Sequence, residues 1–185
     1  MGAPPRIHVT GASGCGVSTL GAALARRLGC AQLDTDVFYW QPTDPPYRES
    51  RPVAKRLALI EAAMDAAAAG WVLTGSLDGW GDPLIPRFGL VVFLTAPTEL
   101  RLQRLAERER RRYGAAIEPG GALHAHHLDF MAYAASYDTG VFTSTLTGRH
   151  LTRHEAWLGG LPCPVLRLDG AQPTEALMDA ILASS

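Results

Sequence analysis

Lysine is almost absent from this chain: Lys55 is the only one among 17 basic side chains, and all the rest are arginine. Cysteine is scarce as well. Cys15, Cys30 and Cys163 are odd in number and have no paired metal-ligand spacing, which argues against a disulfide framework and predicts reduced thiols in a reducing compartment. No run of about 18 apolar residues exists to cross a bilayer. The leading MGAPPRIHVT has no charged-then-apolar export pattern, so a cytoplasmic protein is expected. Charge of one sign is missing too: a net charge of -1 speaks against a general binder of nucleic acid or of acidic membranes, and makes any basic site local. An HExxH pattern is also lacking. His124, His126 and His127 do cluster, and His150 and His154 stand four apart, but no supporting acid completes a zinc site.

What is present is a globular composition, 47% hydrophobic and 19% charged over 185 residues, enough for a single α/β domain spanning 1–185 with a sizeable core. Residues 6–10 form a short apolar strand that ends on glycine, and 18–28 carry apolar side chains at helical spacing up to Gly29. A second strand is expected at 31–34. An irregular proline-rich stretch (42–52) precedes an alanine-rich helix over 53–69 and a third strand at 71–74. LVVFLT, residues 90–95, reads as a fourth strand buried on both faces. An arginine-studded helix, 98–113, then runs into glycine-rich residues 114–121, which pack poorly by themselves and suggest a mobile lid. Helices over 126–137 and 149–158, a fifth strand at 164–169 and a closing helix at 173–183 complete the chain. Strands alternating with helices predict a three-layer fold: a five-stranded parallel sheet, helices on both faces, and ligands outside the carboxyl ends of the strands.

Between the first strand and the first helix lies Gly11-Ala12-Ser13-Gly14-Cys15-Gly16-Val17-Ser18-Thr19. Glycines let such a loop curl with its amides inward, and the following helix adds its positive end, which together suit a polyphosphate. The pattern G-x-x-x-x-G-K-[ST] is met at Gly11, Gly16 and Ser18, but Val17 stands where the lysine belongs. Ser18 is then a Mg²⁺ ligand and the loop holds ATP, while the missing cation must come from an arginine elsewhere or phosphoryl transfer is slow. A glycine turn that binds nothing, and a Rossmann loop, are the competing readings; G-x-G-x-x-G fails because Thr19 stands at its third glycine. Cys15 reads as a small filler between the glycines.

At these residues the chain resembles the P-loop small-molecule kinases, the group of adenylate, shikimate and gluconate kinases, within the P-loop nucleoside triphosphate hydrolase fold. The resemblance implies an acceptor-binding segment at about 37–70 and a lid at about 108–148. It gives Asp34, in Leu33-Asp34-Thr35-Asp36, a part in holding the metal, and Asp36 a part in meeting the substrate and taking its proton. An Asx turn is the plainer account of this pair. Gly75-Ser76 looks like the turn where substrate nears the backbone, although Thr74 replaces the acid of adenylate kinases and weakens a nucleoside-monophosphate reading. Trp40, Arg48 and Arg56 fall in or beside the acceptor segment, so a planar or anionic acceptor suits it. Arg153 resembles the arginine that contacts the transferring phosphate. It is the first candidate for the missing charge, followed by Arg149 on the same expected helix and by Arg108 at the lid entrance. The function implied is Mg²⁺-dependent transfer of the ATP γ-phosphoryl group to a small-molecule acceptor, with no nucleic-acid or membrane partner. A nucleotide-binding module without fast transfer is the alternative that Val17 keeps open.

Overall fold

A computed structural model describes residues 3–44 and 46–184 of the chain. Five strands, β1 (Arg6–Gly11), β2 (Ala31–Asp34), β3 (Trp71–Thr74), β4 (Leu90–Thr95) and β5 (Val165–Asp169), form one sheet in the order β2-β3-β1-β4-β5. Every pairing is parallel. Among the described residues, seven helices connect and cover them: α1 (Val17–Leu28), α2 (Thr35–Tyr39), α3 (Val53–Ala66), α4 (Thr98–Tyr113), α5 (His124–Ala135), α6 (Leu151–Gly159) and α7 (Thr174–Ala183).

β4 shows why the sheet needs cover on both sides. Its Leu90, Val92 and Leu94 join one buried cluster with Leu20 and Leu24 of α1 and Leu177 and Ile181 of α7. Val91 and Phe93, pointing the opposite way as strand alternation requires, join Ile60 and Met64 of α3 and Leu158 of α6. Because β1 sits between β3 and β4, connections leave it in both directions, and the crevice at its carboxyl end is the natural ligand position.

Several expected boundaries move. The helix expected over 53–69 stops at Ala66, where Gly70 turns back with a positive φ of 89° and donates its N–H to the Ala67 carbonyl at 2.9 Å. α2 and the 3₁₀ turns Asp82–Arg87 and Gly114–Ile117 have no counterpart in the hydrophobic pattern, being too short to show a period. The glycine-rich stretch after α4 also packs better than its composition suggests. Ile117 is buried, its carbonyl lies 2.8 Å from His124 Nδ1, and Leu123 N–H donates to the Ala116 carbonyl. Finally, the helix expected from 149 begins at Leu151, with His150 as extended N-cap accepting from Arg153 N–H at 3.4 Å. Arg149 therefore precedes α6 and does not share a helical face with Arg153.

Candidate active site

The loop from Gly11 to Thr19 curls at the carboxyl end of β1. Gly14 has φ +87°, and a Cβ there would lie 2.5 Å from the Arg101 carbonyl oxygen, so only glycine fits. Gly16, also left-handed, is the N-cap of α1; no side chain caps that helix and no acid stands in its first turn. The amides of Val17 and Ser18 have no acceptor within the helix, which leaves a positive end open to an anion. Ser18 and Thr19 are exposed on that turn, while Ala12 and Cys15 are buried beneath it. Burial chiefly pushes the Cys15 thiol up, keeping it protonated and suiting it to packing. Val17 packs against the apolar cluster under α1, so this position supplies no charge.

Three arginines, Arg149, Arg104 and Arg101, touch the cradle, and Arg153 and Arg108 are held elsewhere. Arg149 donates from Nη2 to Ser13 Oγ at 2.9 Å, and its buried Nε has no hydrogen-bond partner among the described residues. Arg153 is paired with the buried carboxylate of Asp78 at 3.2 Å, and Asp78 accepts in turn from the Ser76 hydroxyl. Arg104 donates to the carbonyls of Gly14 at 3.4 Å and Gly170 at 2.9 Å. Arg101, only 1% exposed, donates to the carbonyls of Ala96 and Ala134, to Thr98 Oγ1 and to Asp138. Arg108 pairs with its neighbour Glu109 at 3.0 Å, with its guanidinium 5.7 Å from the Phe130 ring.

The two acids lie at the end of β2. Asp34 Oδ1 accepts from Asp36 N–H at 3.0 Å and so caps α2, the Asx arrangement that the sequence allows. Burial, assisted by the Asp36 charge and opposed by that hydrogen bond, raises the Asp34 carboxyl above its ordinary range. Thr35 between them is buried against Gly75, where a Cβ would meet its Oγ1 at 1.8 Å; Gly75 at φ +115° is thus what lets the tip seat on the end of β3. Asp36 and Trp40 line a cleft of ≈ 300 Å³ together with Val37, Tyr47 and Arg51, whereas Arg48, Arg56, Gly75 and Ser76 lie outside it. Arg51 Nη1 is occupied with the carbonyls of Val37, Phe38 and Trp40 at the end of α2. Arg56, 7% exposed, stacks 3.6 Å above the Tyr39 ring and donates from Nε to the Arg51 carbonyl, with no acid beside it among the described residues. Arg48 is exposed, and after burial its charge is the main influence lowering the proton affinity of His126 on α5. Arg112 at the end of α4 stands 4.8 Å from the Tyr47 ring. Tyr47 and Arg48 thus face the end of α4 and the start of α5.

The sequence pattern of the AAA_18 family, an AAA domain, matches residues 7–118. The chain belongs to this AAA domain family. It is 38% identical over 176 residues to "Uncharacterized protein YqaC" of Bacillus subtilis (strain 168), covering 95% of this chain and 94% of that one. Over 113 residues it is 30% identical to "Shikimate kinase 2" of Pectobacterium atrosepticum, covering 55% of this chain and 63% of that relative. A crystal structure of the shikimate kinase of Aquifex aeolicus superposes with a TM-score of 0.53 at 17% identity, over 97% of this chain and 94% of that one, and shows the same fold. The AAA domain here is accordingly a P-loop small-molecule kinase fold.

Beneath the cradle this AAA domain holds a buried polar chain whose members no sequence spacing links. Thr10 Oγ1 lies 3.0 Å from His154 Nε2, and the Tyr137 hydroxyl 2.9 Å from His154 Nδ1. A neutral imidazole satisfies both hydroxyls, donating to one and accepting from the other. Burial lowers the pKa of His154 to about 4. It lowers that of His8 to about 3; there the Leu73 carbonyl opposes the shift and the His154 charge adds to it. Both values lie below the 6.5 of free histidine. The unfolded chain therefore takes up protons first as pH falls, and stability present above about pH 6.5 is lost on the way down to about pH 4. Between about pH 5.5 and 4.5 each histidine contributes a slope of about 1.4 kcal/mol per pH unit. Urea unfolding of a His154→Gln variant across this window is expected to give a curve flatter than wild type by about that amount.

Proposed function

We propose that the chain is an ATP-dependent kinase that phosphorylates a small alcohol bearing an anionic group. The observation that carries this reading is one of position. A phosphate cradle uncapped by any side chain at the end of β1 and an acid tip at the end of β2 open on the same edge of one sheet, and a buried arginine stacked on Tyr39 of α2 has no acid partner among the described residues. Asp36 stands on the wall of the cleft, free to accept the proton of an acceptor hydroxyl as its oxygen attacks the γ-phosphorus and the bond to the ADP oxygen breaks. Arg56, stiffened by stacking on Tyr39, suits a carboxylate or phosphate on the acceptor, since an unpaired guanidinium held in place loses little freedom on binding. Trp40 would pack on the acceptor's apolar side.

Ser18 and Asp34 are hard oxygen donors of the kind Mg²⁺ prefers, and a site of one or two such ligands is normally completed by phosphate oxygens and water. That fits a chain in which no group of three His, Cys, Asp or Glu among the described residues is able to hold a metal alone. When bound, Mg²⁺ would neutralise charge on the β- and γ-phosphates. Similarity to shikimate kinases supports transfer to a small-molecule acceptor, and Thr74 in place of an acid speaks against a nucleoside monophosphate.

The test is incubation of the purified protein with γ-labelled ATP and Mg²⁺ against separate pools of hydroxy acids, neutral sugars and nucleoside monophosphates. Label is expected in the hydroxy-acid pool. Saturable ATP binding without label in any pool would instead favour a nucleotide-binding module, the reading to which Val17 lends weight.

A further inference from the structure

Val17 leaves the cradle without the cation that its pattern calls for, and the question is which side chain stands in its place. Val17 is the first residue of α1, and its Cγ2 lies 3.3 Å from where a Cβ on Gly11 would be, so its side chain is turned into the packed base of the loop. Two arginines are neutralised already: Arg101 by Asp138 and Arg153 by Asp78. Arg104 bridges two backbone carbonyls. Arg149, like Arg104, touches the cradle, here through Ser13, and forms no ion pair among the described residues. What sets it apart is a buried Nε with no acceptor among those residues, a donor left unfilled beside the loop.

Its placement is built rather than incidental. Thr10, the residue before the cradle, binds His154 of α6, and His154 binds Tyr137 just beyond α5. Leu151 N–H donates to the Tyr137 carbonyl at 2.8 Å, and the His150 ring lies 3.3 Å from where a Cβ on Gly140 would be. These contacts fix the start of α6 to the end of β1, and Arg149 stands two residues before that helix. The residue is part-buried, so a bond to an anion there is screened less by water than one on the open surface.

Resting on the kinase reading above, we infer that Arg149 supplies the positive charge that a lysine supplies at position 17 of other P-loops, reaching the β- and γ-phosphates from outside the loop, and that the Thr10–His154–Tyr137 chain positions it. A guanidinium offers two donors in one plane to phosphate oxygens, where a lysine offers a point charge. The nucleotide site is on this account completed by a residue about 130 positions further along the chain.

Calorimetric titration with Mg·ATP tests the assignment in wild type, Arg149→Gln, Arg149→Lys and the double variant Val17→Lys/Arg149→Gln, with thermal unfolding to check that each is folded. Glutamine removes the charge and, ending two bonds short of the arginine Nη2, the bond to Ser13 as well, whereas lysine restores the charge. Arg149→Gln is expected to bind Mg·ATP about 10- to 100-fold more weakly, the worth of one hydrogen bond to a charged group. Lysine at 149 or at 17 is expected to recover most of that loss, which a merely structural role for Arg149 would not allow. Wild-type affinity in Arg149→Gln overturns the inference, as does a loss that neither lysine recovers. Absence of Mg·ATP binding by the wild type overturns the kinase reading itself, and the inference with it.

Discussion

Asp36→Asn is expected to lower phosphoryl transfer by about 10²- to 10⁴-fold, the usual share of a positioned general base, while leaving Mg·ATP affinity within about threefold of wild type. Asparagine keeps the shape of the side chain and its place at the start of α2, and the hydrogen bond that caps α2 runs from the Asp36 backbone to Asp34, so the tip stays folded. On the proposed reading, what disappears is the acceptor of the hydroxyl proton. Steady-state assays with the acceptor identified from the labelled pools, run beside nucleotide titrations, separate the two quantities. A loss of Mg·ATP affinity equal to the loss of turnover would move Asp36 from the acceptor to the metal. The same assays on Asp34→Asn should show the opposite split, a weaker nucleotide complex, because that carboxylate is assigned to Mg²⁺.

Arg101→Leu is expected to destabilise the fold by about 2–4 kcal/mol, because the carbonyls of Ala96 and Ala134 lose a donor in the interior, while the half-exposed Asp138 stays solvated. The guanidinium is 1% exposed and binds the carbonyls of Ala96 and Ala134, Thr98 Oγ1 and Asp138, so its loss strands acceptors at the start of α4 and near the end of α5 together. Its backbone is also the wall against which Gly14 turns. Urea unfolding gives the magnitude. Arg101→Lys should recover only part of it, since an ammonium is a point charge without the planar fork that meets these acceptors from several sides. A shift under 1 kcal/mol in Arg101→Leu would mean that the arginine is incidental to the joint between cradle and helices.

The sheet and the cradle were legible in the sequence because each has a local signature. LVVFLT reads as a strand buried on both faces, and its side chains do divide between the two cores. Gly14 and Gly16 were expected to turn the loop, and both have positive φ. The positions of the arginines were not legible, because they depend on contacts across long separations. Arg153, first in order from the sequence, is held by Asp78, whereas Arg149 reaches Ser13 across the site. The shift of the α6 start to Leu151 decides this: His150 as N-cap takes Arg149 out of the helix and sends it toward the loop. Arg101 does carry a signal in the sequence. It lies four residues before Leu105 and eight before Glu109 on the buried line of α4, and a charged residue on such a line must have partners. Thr10, Tyr137 and His154 gave none, since a buried hydroxyl–imidazole chain spanning 144 residues has no spacing to recognise.

Amide hydrogen exchange with and without Mg·ATP bears most directly on the claim that the loop after β1 grips a triphosphate. Slower exchange is expected in peptides covering residues 11–20 when Mg·ATP is added, with the remote 3₁₀ turn Asp82–Arg87 unchanged. Unaltered exchange across residues 11–20 at saturating Mg·ATP would place the nucleotide elsewhere and contradict the account.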